Sequence, residues 1–432
     1  MLRELAKSLR YRDPTEYLTA AAIVGGGIAR LPIPGRRSWW VVSDPGLYRQ
    51  VLTGYSAEAF DKGGPIYATI RQPVGAHAIF TTNDPGEWRR IRGLMNPSFT
   101  REGLRGAVES SVELWGARMD TWNTALPIPL ATELRALNLE VLLRHLFGSG
   151  ARLHRLIELT QPVFGTMADR VFLPLWLPAA REYRRATAAL HAEVARLLAE
   201  RWEQGPGEDL LWRMYTAEPP LSAEQIHDQV VILLLGGYES SSSAMAWACL
   251  YLAADPGLRN DLYWEVAEVC GTEPPRVEQL PRLEFTAAVL TETLRLHPSF
   301  PAFFRNVAAA TQLGEFELRP GDQIFLVPHA LGRNPRAWQD PETFDPTRFR
   351  ASLSAGQRAT WQPFGSGKRS CIGKDMALMI GTLVLAQTLQ RFEDWARPPG
   401  APAIPPGRYI MTRGPRDDAL LVLRPRVKAP TG

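Results

Sequence analysis

Residues Ser222 to Pro256, SAEQIHDQVVILLLGGYESSSSAMAWACLYLAADP, constrain the fold more than any other stretch of the chain. Ser222 with Gln225 three positions on is a capping-box start, and Asp255-Pro256 is a stop. Between them the spacing predicts one very long helix. It is apolar almost all round, so it has to run through a core rather than lie on one. In its middle, GGYESSSS works against the helix: glycine costs roughly 1 kcal/mol relative to alanine at each position. Serine hydroxyls also compete for backbone carbonyls and bend helices. A defect in the best-buried helix predicts a local distortion with a purpose.

The pattern around that helix is also mostly helical from Asp84 onward. PRLEFTAAVLTETLRLHP, Pro281 to Pro298, reads as a helix closed by proline, and Met376, Met379, Ile380, Leu383 and Val384 fall at helical spacing. Strand patterns are short: RSWWVVSD (Arg37 to Asp44), QIFLVP (Gln323 to Pro328) and a hairpin pattern ending near LLVLRP. With no internal repeat and no low-complexity linker, residues 1–432 read as a single domain, mainly α with small β-sheets at its edge. A hydrophobic fraction of 45% and a charged fraction of 22% are ordinary for a globular chain with a large core. Net charge is only +4 and the arginines are scattered, which argues against nucleic acid as a partner. The apolar run Tyr17 to Ala29 is shorter than the ~20 residues of a spanning helix. Asp13, Pro14 and Glu16 interrupt its approach. No membrane span is expected, and the expected compartment is the cytoplasm.

Three cysteines remain, Cys249, Cys270 and Cys371, odd in number and without CxxC spacing. They point away from a disulfide scaffold or a zinc ribbon and toward a reducing compartment. A free cysteine is usually a small buried hydrophobe, but the setting of Cys371 in FGSGKRSCIG is different. Gly365, Gly367 and Gly373 allow unusual backbone angles and the close approach of a flat ligand. Cys371 also opens a helix pattern, where free N–H groups and the dipole favour a thiolate. Lys368 and Arg369 add positive charge. A thiolate with no second protein ligand near in sequence suits a metal whose other positions belong to a macrocycle. Haem iron is the leading candidate, since an axial thiolate favours O–O cleavage.

Phe364-x-x-Gly367-x-Arg369-x-Cys371-x-Gly373 resembles the haem-binding signature of the cytochrome P-450 haem-thiolate monooxygenases. Four further matches lie in the right order from about residue 37 to the end. The resemblance implies the cytochrome P-450 fold, with a long central helix over haem b and the cysteine loop beneath it. It implies Cys371 as the iron ligand, with Phe364 and Gly365 against the cofactor. Glu292-x-x-Arg295 would pair on one helix face and be joined by Arg348 from PETFDPTRF, as a structural lock rather than chemistry. Trp88, Arg92, Arg305 and Arg369 would hold the haem propionates through charge-assisted bonds. The GGYESS defect would open a groove for oxygen and water, with Glu239 relaying protons and Ser240 steadying the reduced oxygen and its neighbouring water. Here the chain departs from the family pattern, because Ser240 stands where threonine is usual. The hydroxyl survives, but its rotamer is looser without the methyl, which puts tight coupling of oxygen use to product in question.

By the same resemblance, Phe80, Leu235, Gly236, Ala302 and Phe303 would line an apolar substrate pocket, under a mobile roof from Val163 to Pro178. The implied activity is monooxygenation of a hydrophobic small molecule with O2, a secondary metabolite such as a terpenoid or polyketide. Two electrons must come from another protein, because no flavin or iron–sulfur motif is present. Lysine is rare in the chain, yet Lys368 and Lys374 flank Cys371, a face suited to an acidic ferredoxin or flavodoxin. Other readings stay open. The haem could be peroxide-driven, which Glu239 argues against. Its chemistry could be diverted to desaturation, coupling or rearrangement, or the chain could be a non-catalytic haem sensor or carrier.

Overall fold

The helix demanded by the sequence runs without interruption from Ala223 to Ala254 in the computed structural model, which describes residues 13–31, 38–54, 59–148, 153–172 and 180–426. Ser222 Oγ accepts from Gln225 N at 3.0 Å while Gln225 Oε1 accepts from Ser222 N at 2.9 Å, so the capping box is complete. Asp255 ends the helix and caps the next, accepting from Leu258 N at 2.9 Å.

In chain order the longer helices are α1 (Thr15–Val24), α2 (Gly64–Val74), α3 (Pro85–Met95), α4 (Arg105–Asp120), α5 (Leu130–Phe147) and α6 (Leu153–Phe172). They continue with α7 (Ala180–Glu203), α8 (Ala223–Ala254), α9 (Pro256–Cys270), α10 (Glu284–Leu296) and α11 (Lys374–Arg391). The main sheet joins β1 (Ile28–Leu31), β2 (Trp39–Val42), β3 (Phe60–Asp61), β4 (Phe303–Val307) and β5 (Gln323–Leu326), in the order β1-β2-β5-β4-β3. β6 (Gly407–Ile410) and β7 (Thr412–Pro415) form a separate hairpin. Architecture and expectation agree: a mainly helical body with small sheets.

Burial explains the arrangement. All four residues of β2 and of β5 are buried, and the two strands run parallel at the middle of their sheet. α8 is buried along its length, with α5 packed across it and β7 beside it. Trp247 of α8 donates to Arg413 O of β7 at 3.2 Å. Arg413 in turn pairs with Asp13 at 2.9 Å and with Glu16 at 2.9 Å, tying the start of the described chain to the hairpin.

Three expectations need correction. GGYESSSS does not interrupt α8. Gly237 is there for packing, since a Cβ on it would lie 3.1 Å from Leu142 of α5. Two of the serine hydroxyls are satisfied within the helix: Ser240 Oγ donates to Gly236 O at 2.8 Å, and Ser242 Oγ donates to Tyr238 O. The helix expected from Pro281 begins only at Glu284, because Val277–Arg282 with its internal proline makes a 3-10 turn. Leu420–Pro425 is not a hairpin arm; it pairs with Phe392–Ala396 and Ile128–Pro129.

Candidate active site

A large internal cavity lies between α8 and the loop that precedes α11, and Cys371 stands on its floor. The loop is shaped by local rules. Gly365 and Gly367 take φ of +66° and +71°, a region open to glycine at no steric cost. A Cβ on Gly367 would also come within 2.8 Å of Thr53. Cys371 N donates back to Phe364 O at 2.9 Å, which turns the thiol inward. The thiol is deep in the molecule yet exposed, because the cavity ends on it. Burial pushes the thiol pKa up, while the Gly373 N–H, Arg92 and Lys374 pull it down. Arg92, distant in sequence, and Lys374 are thus cations that act on Cys371. Arg369 lies over the Trp88 ring at 4.7 Å and donates to Thr82 O at 3.1 Å. Cys371 also precedes its helix rather than opening it, since Gly373 is the N-cap.

Positive charge gathers on one side of the cavity. Asp84 caps α3, accepting from Glu87 N at 3.1 Å, and so aims Trp88 and Arg92 at the cavity from one helix face. Arg92 donates to Ser370 O at 2.8 Å and Arg305 of β4 donates to Phe304 O at 2.7 Å. Lys62, which sequence reasoning missed, joins them and donates to Phe80 O. Among the described residues none of Lys62, Arg92, Arg305 and Arg369 pairs with a carboxylate. Burial, then Arg305, Arg369 and Arg71, drive the Lys62 pKa far below its ordinary value; burial and Arg305 push Arg369 down to about 10. Buried charge normally has a partner, so this set calls for an anion in the cavity. A haem fits: its two carboxylates answer the cations, and its iron answers the thiol. Cys371 would hold the iron, Trp88, Lys62, Arg92, Arg305 and Arg369 the propionates, and Phe364 and Gly365 one face.

The opposite wall is apolar apart from serines and Asn138. Ser240 lines the cavity, and Ser299 Oγ donates to its carbonyl oxygen at 2.7 Å. Glu239 does not line the cavity, contrary to a direct role beside the reacting oxygen. It points across the α5–α8 seam and pairs with Arg135 at 2.9 Å, and Arg135 pairs with Asp418 at 2.8 Å. Burial pushes the Glu239 carboxyl above its ordinary range, and Arg135 offsets this only in part.

Phe80, Leu235, Gly236, Ala302 and Phe303 all line the cavity. The expected roof does so through Phe164 and Met167 of α6; residues 173–178 of it lie outside the described residues. Two further lining residues had no signal in the sequence. Met411 sits at the β6–β7 tip with φ of +75°, and Asn138 reaches in from α5. The structural lock assembles behind the floor. Arg295 grips Glu292 through two bonds of 2.7 Å and donates to Gly332 O and Pro341 O, both at 2.6 Å. Arg348 stands 3.6 Å from Glu292.

Known proteins share this arrangement. The cytochrome P-450 family profile matches residues 14–406. Cyclooctatin synthase of Streptomyces melanosporofaciens is 31% identical over 94% of this chain and 91% of its own length. Pentalenene oxygenase of Streptomyces avermitilis is 29% identical over 90% and 88%. The crystal structure of a cytochrome P-450 haem domain superposes with a TM-score of 0.84 at 26% identity, covering 96% of this chain and 94% of that one. Haem b on a cysteine thiolate is the cofactor of that family, and monooxygenation its activity. A bare thiol under unpaired cations, in this fold and across this length of matched sequence, makes the chain a member of the cytochrome P-450 family.

Proposed function

We propose that this monooxygenase inserts one atom of O2 into a hydrophobic small molecule, terpenoids being the first class to test, with two electrons from a ferredoxin or flavodoxin. The observation that carries the reading is one cavity with a bare thiol and unpaired cations on one side and an apolar wall broken by serines and Asn138 on the other. Bound there, haem supplies the iron that activates oxygen. The chain's own residues do the rest. Phe80, Leu235, Gly236, Ala302 and Phe303 hold an apolar substrate and exclude water. Ser240 Oγ donates to Gly236 O, which leaves its lone pairs free to accept from a water. Glu239 collects protons on the far side of α8, where Arg135 and Asp418 connect it to the surface. Lys368 and Lys374, exposed residues beside Cys371 that do not line the cavity, receive the electron donor.

Relatives support the substrate class. Besides the two above, cyclooctat-9-en-7-ol 5-monooxygenase of Streptomyces melanosporofaciens is 29% identical over 88% of this chain. We read residues 1–432 as one domain, consistent with the Arg413 pairs that join the two ends of the described chain. No helix among the described residues is long and apolar enough to cross a membrane, and we assign the enzyme to the cytoplasm.

The test is a difference spectrum of the reduced, carbon monoxide-treated protein. The strongly red-shifted Soret band of a thiolate-ligated haem is expected in the native protein and lost in Cys371→Ser with haem retained. Titration with pentalenene and with cyclooctat-9-en-7-ol should then shift the ferric spin state. A haem-loaded native protein without the red-shifted band would overturn the oxygen-activation reading and leave a haem sensor or carrier in its place.

A further inference from the structure

Asn138 is a polar residue in an apolar setting, 6% exposed, on the stretch of α5 that packs across α8. Its Nδ2 donates to Leu134 O at 2.9 Å and to Ser242 Oγ at 3.1 Å. A carbonyl can only accept, so the Leu134 contact fixes which end of the amide is nitrogen. The remaining atom, Oδ1, accepts from no described residue, and the side chain lines the cavity. Next to Ser242, the hydroxyl of Ser241 lines the same cavity and likewise bonds to no described residue. Two packed helices therefore each present to the one cavity a residue with a polar group that bonds to no described residue.

The seam continues outward. Thr132, Arg135 and Asn138 are spaced three apart on α5 and share a face. Thr132 Oγ1 donates to Asp418 at 2.7 Å, Arg135 to Asp418 at 2.8 Å, and Arg135 to Glu239 at 2.9 Å. Ion pairs thus join the partly exposed Asp418, Arg135 and Glu239, and Asn138 stands one turn further along the same face of α5, bonded to Ser242 and lining the cavity. A polar atom that faces a cavity without a protein partner is a natural site for an ordered water.

We propose that Asn138 is a positioning residue for proton delivery: its pinned Oδ1 holds a water at the α5–α8 seam, beside Ser241, between Glu239 and the cavity. One proton enters that water from the Glu239 side as another leaves it toward the cavity, so Asn138 neither gains nor loses one. The Ser242 and Leu134 bonds keep Oδ1 fixed while this happens. The inference rests on reading Glu239 as the proton collector.

The haem-loaded protein can be driven by NADPH with a plant ferredoxin and its reductase, with no added substrate. NADPH oxidation and the peroxide released are then followed in H2O and D2O. Asn138→Leu, of similar size, should slow NADPH oxidation about tenfold, less than the 10²–10⁴ that a proton-transferring group contributes, and raise its solvent isotope effect. Its haem content, ferric spectrum and melting temperature should stay native. Asn138→Ser, whose hydroxyl can donate to Leu134 O and still accept from water, should recover part of both losses. A high-resolution crystal structure should show a water on Asn138 Oδ1 in the native protein and none in Asn138→Leu. Native rate and isotope effect in Asn138→Leu, with Glu239→Gln slowed, would overturn this inference alone. Native behaviour of Glu239→Gln, with Asn138→Leu slowed, would overturn the role of Glu239 instead. A native protein without water on Oδ1 would also overturn the inference.

Discussion

Glu239 and Ser240 are neighbours in sequence, yet one faces Arg135 and the other the cavity. Successive helix residues point about 100° apart, so a motif that names both cannot say which of them meets the reacting oxygen. The sequence marked the pair, and only the packing of α5 on α8 decides its geometry. The same packing makes a stability prediction. Arg135→Met leaves Glu239 buried without its partner and should cost about 3–5 kcal/mol in urea unfolding. The double variant Arg135→Met with Glu239→Gln should regain most of that loss. Additive effects would mean that the ion pair is not the coupling. His77, two residues before the cavity-lining Ile79, gives a pH-dependent counterpart. Burial alone would lower its pKa, but the hydrogen bond and charge of Glu87, with Glu224 and Asp228, raise it above the ordinary value. A raised folded-state pKa gives stabilisation that is full below about 6.5 and lost as pH rises through the folded value. The ring is partly exposed, so the gain should stay below about 1 kcal/mol. His77→Gln should destabilise the protein at pH 6 and leave it unchanged at pH 9; an equal loss at both would place the effect in packing.

Elements were more legible than contacts. Capping residues placed both ends of α8 to within a residue, because the bonds that end a helix are local. Its interior was misread for the opposite reason: Gly237 answers to Leu142, 95 positions away in sequence (237 minus 142), and nothing local records that. Lys62 was invisible on the same grounds. A lysine just after the two-residue β3 reads as a solvated turn until the fold closes over it. The lock behind the floor lies between these cases, since its spacing of three was readable and its burial was not. Glu292 and Arg295 are both fully buried, and Arg295 holds the segment from Gly332 to Thr343 by its carbonyls. That segment leads into the cysteine loop. Glu292→Gln should therefore cost about 3–5 kcal/mol and speed hydrogen exchange between Gly332 and Phe349, with loss of haem following. Native exchange there, at reduced stability, would show that the pair supports α10 alone.

At the scale of the whole molecule, the charges around the cavity set folding and cofactor binding against each other. Four cations face it with no carboxylate partner among the described residues, and burial already drives the Lys62 pKa far down. Such a site weakens the empty chain and strengthens the filled one, because only the ligand brings the anions. Two measurements should then move in opposite directions. Lys62→Met should stabilise the empty protein, because an ammonium buried without a carboxylate partner gives way to an apolar side chain. The same variant should bind haem more weakly. Haem whose two carboxylates are esterified provides the matching change on the ligand side. It should bind native protein at least about tenfold more weakly, or 1.4 kcal/mol, and lose less than unmodified haem does when Lys62 becomes methionine. Equal affinity for both forms of haem would mean that the cations serve another anion, and the assignment of Lys62, Arg92, Arg305 and Arg369 to the propionates would fall while Cys371 stood. If Lys62→Met instead weakens both the empty and the loaded protein, its bond to Phe80 O is what matters, and the lysine is a clasp on the loop that carries Phe80 into the pocket.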